Sequence, residues 1–349
     1  MIFNQTLFLG HLVKLLGVIN VKPVHNYSNI FKIRFKTGAA LQQLLAFASL
    51  IGLIIFFSLA SENFLQFSNI MGILLSTAVI GVLALGATFV IITAGIDLSV
   101  GTGMTLCSVM AGVFITFWGL ATPLGVLGGI FTGTLMGCLI GLMVAKMKIP
   151  PFIATLAMMM IASGLSLVIS GTSPIYFTDR PVFSTIALGT LIPGVPNAVL
   201  IFFGAAVVAG LLLHKSVIGR YTYALGSNEE AAKLSGVHVD FWKIVVYTIA
   251  GTFTGLAGIL MASRLNSAQP ALGMGYELEA IAAVVIGGTS LSGGKGTIIG
   301  TVIGALIMSV LRNGLRILSV PQEWQTVVIG LVIIFAVYID ILRRRRAVV

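Results

Sequence analysis

Charged residues are spaced so widely along this chain that most of it divides into long apolar runs. Thr37 to Ser61 and Asn63 to Ile96 come first, followed by Leu98 to Ala145. A helix needs about 20 predominantly apolar residues to cross the hydrocarbon core of a bilayer. The third run is too long for one crossing and is interrupted at Ala121, Thr122 and Pro123, so it reads as two. Ile153 to Ser170, Ala198 to His214 and Ile244 to Ser263 supply three more, and Ala280 to Gly294, Gly296 to Leu311 and Trp324 to Ile339 are shorter runs in the final third. The pattern predicts an all-α membrane protein, a polytopic bundle of about ten transmembrane helices, some short or broken. An even number of crossings puts both termini on one side.

Composition removes the alternative of a water-exposed globule. Of 349 residues, 9% are charged and 58% apolar, and the mean hydropathy is +1.09. A soluble domain carries roughly a quarter charged residues. The net charge of +10 does not indicate nucleic acid here, because the basic residues sit between apolar runs and act as a topology signal. With cytoplasmic termini, sixteen of the twenty Lys and Arg fall on the cytoplasmic side, and only Arg180, Arg264, Arg312 and Arg316 on the other. One helix more or fewer in mid-chain would scramble that bias.

Three segments follow. Residues 1–36 are a cytoplasmic extension: Leu7 to Val21 is apolar but contains His11 and Lys14, and no small-residue cleavage site follows it. Residues 37–342 form the transmembrane domain, with a cytoplasmic loop at 215–243. Residues 343–349 are a basic cytoplasmic tail, in which Arg343 to Arg346 face the anionic lipid headgroups.

Glycine is patterned rather than scattered. Gly125, Gly129, Gly133, Gly137 and Gly141 recur every fourth residue, as do Gly296, Gly300 and Gly304, with Gly251 and Gly255 a shorter case. Such stripes let helix backbones approach closely, either within one chain or between subunits. Gly95-Ile-Asp-Leu-Ser-Val-Gly-Thr-Gly103 and Gly288-Thr-Ser-Leu-Ser-Gly-Gly-Lys-Gly296 match at five of nine positions. Each follows an apolar run and opens another, on the same side in this topology, as in a parallel internal repeat. Paired Gly-broken membrane segments mark transport sites in many carriers.

The few acids stand at these interruptions. Asp97 separates uncharged runs of 34 and 48 residues. An ionised carboxylate at the centre of a membrane helix costs about 2.5–3.5 kcal/mol, so Asp97 requires a polar partner or a watered path. Ser99, Thr102 and the amides opening the next helix are local partners for a cap, and direct substrate contact is the other reading. Glu277 and Glu279 precede a short apolar run; two residues apart on a helix they point about 200° from each other and cannot share one ligand. A helix-cap or gate role fits them, because carboxylates at a helix start are favoured by its dipole.

No catalytic constellation is present in the sequence. His11, His25, His214 and His238 are dispersed without metal-ligand spacing, Cys107 and Cys138 lie in apolar runs, and there is neither a nucleophile elbow nor a phosphate-binding loop. Any ATP that drives this molecule is hydrolysed on another subunit.

The cytoplasmic loop contains Gly226-Ser-Asn-Glu-Glu-Ala-Ala-Lys-Leu-Ser-Gly-Val237. Asn228 is suited to cap a short helix, Glu229 and Glu230 to occupy its first turn, and Gly236 to end it. Glu230-Ala-Ala-Lys-Leu-Ser-Gly236 resembles the Glu-Ala-Ala-x-x-x-Gly element of ABC-importer permeases, although the Leu-Pro that continues the longer motif is missing. Together with Gly95-Ile-Asp-Leu-Ser-Val-Gly101, Pro270-Ala-Leu-Gly-Met-Gly-Tyr-Glu-Leu-Glu279 and Ala282-Ala-Val-Val-Ile-Gly-Gly-Thr-Ser290, it makes the chain similar to the ribose/xylose/galactose-type ABC permease family over about residues 40–340.

That resemblance implies a multi-pass permease of the bacterial inner membrane, importing a monosaccharide or related small polar solute. It implies a cytoplasmic ABC ATPase, a periplasmic sugar-binding protein and a second permease copy, identical or not, with ATP and Mg held by the ATPase and no cofactor by this chain. Gly226, Asn228, Glu229, Glu230, Ala231, Ala232 and Gly236 would form the ATPase-coupling element. Asp97, Ser99, Thr289, Ser290 and Ser292 are candidates for the translocation path, since they sit at the paired breaks. Gly171 to Asn197, the longest outer connection, is either a docking surface for the binding protein or a passive loop. An ion- or proton-coupled carrier using Asp97 or Glu277 is the alternative, and a membrane scaffold a third.

Overall fold

A computed structural model describes residues 37–347, so the expected extension at 1–36 and the last two residues of the tail lie outside the described residues. From Ala39 onward the chain is a single compact unit. Its first half contains α1 (Thr37–Ala60), α2 (Phe67–Ile92), α3 (Val100–Gly112, running into a π-helical turn at Val113–Phe117), α4 (Thr122–Ala145) and α5 (Pro151–Ser170). Next come β1 (Ile175–Tyr176), α6 (Pro181–Leu188), α7 (Asn197–Lys215), α8 (Val217–Ser227) and α9 (Glu229–Leu234). The chain then forms α10 (Val239–Leu265), β2 (Ser267–Ala268), α11 (Tyr276–Ile286), α12 (Ile298–Ile317) and α13 (Gln322–Ala347).

Among the described residues, eight helices are long and apolar enough to cross a membrane, and α13 adds the apolar stretch Gln322–Tyr338. The tenth expected crossing takes a different form. Ala280 to Gly294 is not one helix: α11 begins earlier, at Tyr276, and stops at Ile286. Its 11 residues rise about 17 Å, roughly half of a hydrocarbon core of about 30 Å. Gly288, Gly293 and Gly294, all at positive φ, hold the chain non-helical until Thr297 caps α12 by accepting the Gly300 N–H. At the other end of the molecule, α13 continues through Arg343 to Arg346, so the basic tetrad belongs to a helix rather than to a separate tail.

Several helix starts follow from proline, which is preorganised for the first turn and lacks the N–H that would go unpaired there. Pro123, Pro151 and Pro181 open α4, α5 and α6 in this way.

Burial sorts the helices into layers. Every residue from Thr77 to Ile92 of α2 is buried, whereas α1 presents Leu44, Phe47, Phe56 and Leu59 outward as a lipid-facing helix must. The glycine stripes explain how backbones come so close to this centre. Gly133 and Gly137 of α4 lie directly on the Gly251 backbone of α10, Gly141 on Ile244, and Gly129 on the Cys107 carbonyl of α3. Gly300 and Gly304 of α12 pack on Gly287 and on Ala283 of α11 in the same manner. Both stripes are therefore filled from within the chain.

The connection Gly171 to Asn197 is locally structured. β1 pairs antiparallel with β2, Ile175 opposite Ala268, and Phe177 stacks on Phe183 with ring centroids 4.0 Å apart. Ser263 of α10 clamps α6, its hydroxyl donating to the Phe183 carbonyl at 2.6 Å and accepting from the Ala187 N–H at 2.9 Å.

On the cytoplasmic side, Lys148 pairs with Asp240 at 2.7 Å, and Lys146 approaches the same carboxylate at 3.7 Å. The contact joins two loops that the charge count placed on one membrane face.

Candidate functional site

The cytoplasmic loop folds as its residues predict. Asn228 Oδ1 accepts the Ala231 N–H at 2.9 Å and caps α9, Glu229 and Glu230 fill the first turn, and Gly236 at φ +83° ends the segment. Lys243 pairs with Glu229 at 2.7 Å. Ala232 is buried with Leu225 and Val239 against Trp242, which fixes α9 to the end of α8 and the first turn of α10. Leu234 points the other way and is 90% exposed, an unusual setting for a leucine outside the apolar core. The sequence reading passed over it. The signal was available, because two residues from the buried Ala232 is about 200° around the helix.

The two breaks lie side by side. Gly294 N–H donates to the Ile92 carbonyl at 2.8 Å, joining the end of α2 to the loop after α11. Their matching nine-residue sequences nevertheless do different work. Gly101 and Gly103 are already inside α3, while Gly294 and Gly296 remain in the loop.

Within the first break, Asp97 is 4% exposed and folds back on its own chain. Its Oδ1 accepts both the Ser99 N–H at 2.9 Å and the Ser99 hydroxyl at 2.6 Å. Thr102 does not join it; its hydroxyl donates to the Ser99 carbonyl at 3.4 Å. Asp97 therefore bonds only Ser99, the residue before α3, and no side chain caps that helix start, so the cap expected of Asp97 is not formed.

Across the junction, Ser290 N–H donates to the Lys295 carbonyl and Gly293 N–H to the Ser290 carbonyl, each at 3.0 Å, making a tight loop. Thr289 and Ser290 are buried and Ser292 is exposed. No hydrogen bond among the described residues links Asp97 or Ser99 to Thr289, Ser290 or Ser292. The five path candidates therefore form two groups bridged by backbone. Among the described residues, the Thr289 hydroxyl and the buried Tyr247 hydroxyl, which lies against Gly95, have no hydrogen-bond partner.

Glu277 and Glu279 diverge as their spacing requires. Glu277 Oε1 accepts the Gly275 N–H at 2.9 Å at the start of α11, and its other oxygen abuts Gly101 of α3. Glu279 faces α12 and forms an ion pair with Arg312. Arg264 donates to the Ser76 hydroxyl at 3.2 Å. Arg264, Arg312 and Arg316, which the charge count assigned to the outer side, stand in the last turn of α10 and on α12; Arg264 and Arg312 are half-buried and Arg316 is exposed. A hydropathy run stops at the first charge, whereas a helix stops at its cap, and α12 continues to Ile317.

Long apolar helices, two of them interrupted at a shared junction, beside a capped helix on the charged face define the class: an all-α, multi-pass membrane protein. The chain belongs to the family described as branched-chain amino acid transport system / permease component, whose model matches residues 69–337. It is 43% identical over 310 residues to the ribose import permease protein of Escherichia coli K12, covering 88% of this chain and 96% of that one. Similarity extends to the xylose transport system permease protein of Haemophilus influenzae, at 34% identity over 83% and 94% of the two chains, and to the D-allose permease of Escherichia coli K12, at 38% over 82% and 87%. No solved structure matches. The protein is a multi-pass component of the inner membrane, related to the ribose/xylose-type sugar permeases.

Proposed function

We propose that this chain is the membrane-spanning subunit of an ATP-driven importer of a monosaccharide, and that α9 is where a separate ABC ATPase docks. The observation that carries this reading is α9 itself: a capped helix on the cytoplasmic face, fixed underneath through Ala232 and presenting Leu234 at 90% exposure to a partner. The relatives' names, import or transport permeases for ribose, xylose and D-allose, favour a monosaccharide as cargo. ATP and Mg then belong to the ATPase, a periplasmic binding protein delivers the sugar, and a second permease copy completes the path within the lipid bilayer.

In this reading the inner end of the path runs by Asp97, Ser99, Thr289, Ser290 and Ser292. The unpartnered hydroxyls of Thr289 and Tyr247 support it, since a sugar or water would satisfy them. Glu277 caps α11, and the Glu279 pair with Arg312 is a gate between α11 and α12.

The test is reconstitution of the chain in proteoliposomes with an ABC ATPase and a sugar-binding protein from the same organism, using labelled ribose. Uptake should require ATP and all three components. Uptake driven by an ion gradient without the ATPase would replace this reading with a secondary carrier, and no uptake under either condition would leave a scaffold.

A further inference from the structure

We propose that Tyr223 and Gly226 of α8 are positioning residues that tie the ATPase-facing helix to both helix breaks through one backbone knot; this rests on the docking role of α9. Three stretches distant in sequence meet there. A Cβ on Gly226 would strike the Ile92 carbonyl oxygen and come within 2.6 Å of the Gly294 nitrogen, so only glycine fits. The same Ile92 carbonyl accepts the Gly294 N–H at 2.8 Å. Gly293, at φ +82°, is wedged so that a Cβ would lie 2.8 Å from the Gly226 carbonyl oxygen and 2.9 Å from the Ala94 nitrogen. The Tyr223 hydroxyl closes the arrangement by donating to the Gly296 carbonyl at 2.7 Å.

Contacts between bare backbones have no side chain to flex and absorb displacement. A shift of α8 comparable to a hydrogen-bond length therefore moves or breaks the links to Ile92 and to Gly293–Gly296 together. The first leads through Asp97 into α3 and the second into α12. One displacement at the cytoplasmic face thus acts on both interrupted helices, which an α9 attached only through its flanking chain could not do.

The measurement is ribose moved per ATP hydrolysed by the reconstituted complex, alongside retention of the ATPase on the membrane. Tyr223→Phe removes one hydroxyl and keeps the ring, and Gly226→Ala wedges the knot. Tyr223→Phe should retain the ATPase and hydrolyse ATP within about twofold of wild type. The transport ratio should fall about fivefold in Tyr223→Phe, the equilibrium weight of one ordinary hydrogen bond, and further in Gly226→Ala. An unchanged ratio in Tyr223→Phe overturns the proposal, as does a parallel loss of uptake and hydrolysis at constant ratio. A wild-type chain that retains no ATPase would instead remove the importer reading, and this proposal with it.

Discussion

Asp97 is the acid whose placement in a nearly uncharged third of the chain demanded an explanation, and its partner is two residues away. Because one oxygen serves two buried donors of Ser99, the acceptor matters more than the charge. Asp97→Asn preserves an acceptor, whereas Asp97→Leu leaves both donors unpaired at about 1–3 kcal/mol each. Thermal unfolding in detergent should place the Asn variant near wild type and the Leu variant well below it; equal losses would show that the charge is what matters. Asn228 has a similarly local role. Asn228→Ala removes the bond to Ala231 N–H, worth about 1 kcal/mol of helix stability, and hydrogen exchange at Ala231 should quicken about fivefold. The Asn228 cap was legible in the sequence because capping needs only a few neighbouring residues, and so was Ser99 as a local partner of Asp97, although Asp97 caps no helix. The isolation of Asp97 from Thr289 and Ser290 was not, since it depends on how two distant loops meet.

At the scale of elements, periodicity located nearly every long helix, and the failures share a cause. Apolar composition does not separate a helix from a Gly-rich loop packed inside the protein, so α11 and the loop after it were merged into one crossing. Charge ended the predicted α12 too early. Glycine spacing, in contrast, correctly anticipated close helix contact, although not which partner filled each stripe. A paired substitution tests the α4 and α10 contact. Gly137 lies against the Tyr247 and Gly251 backbones, while nothing lies within 4 Å of the Gly204 position on α7. Gly137→Val should therefore cost about 1–3 kcal/mol or more from overpacking and reduce the yield of monodisperse protein, with Gly204→Val close to wild type. Equal behaviour on size-exclusion chromatography would refute the assigned contact.

For the whole molecule, the distribution of Lys and Arg predicts the orientation, and the Lys148–Asp240 and Lys243–Glu229 pairs join positions that the count assigned to one face. In a chain with Cys107 and Cys138 replaced by alanine, Ser235→Cys should react with a membrane-impermeant maleimide only from the cytoplasmic side. Leu191→Cys, at a position 83% exposed in the outer connection, should react only from the other side. Labelling of both from the same side would require a different number of crossings. The half-burial of Arg264 and Arg312 was invisible at this scale for the opposite reason: counting charges per side says nothing about which of them turn inward.

The enclosure of α2 has a further consequence. A helix buried along Thr77 to Ile92 has no lipid-facing side there, so bilayer thickness and lipid composition act on it only by way of its neighbours. α1, with its row of outward side chains, meets those forces directly. A membrane that thins or stiffens would therefore alter the mobility of the rim first, leaving the central post and the break at its end in register.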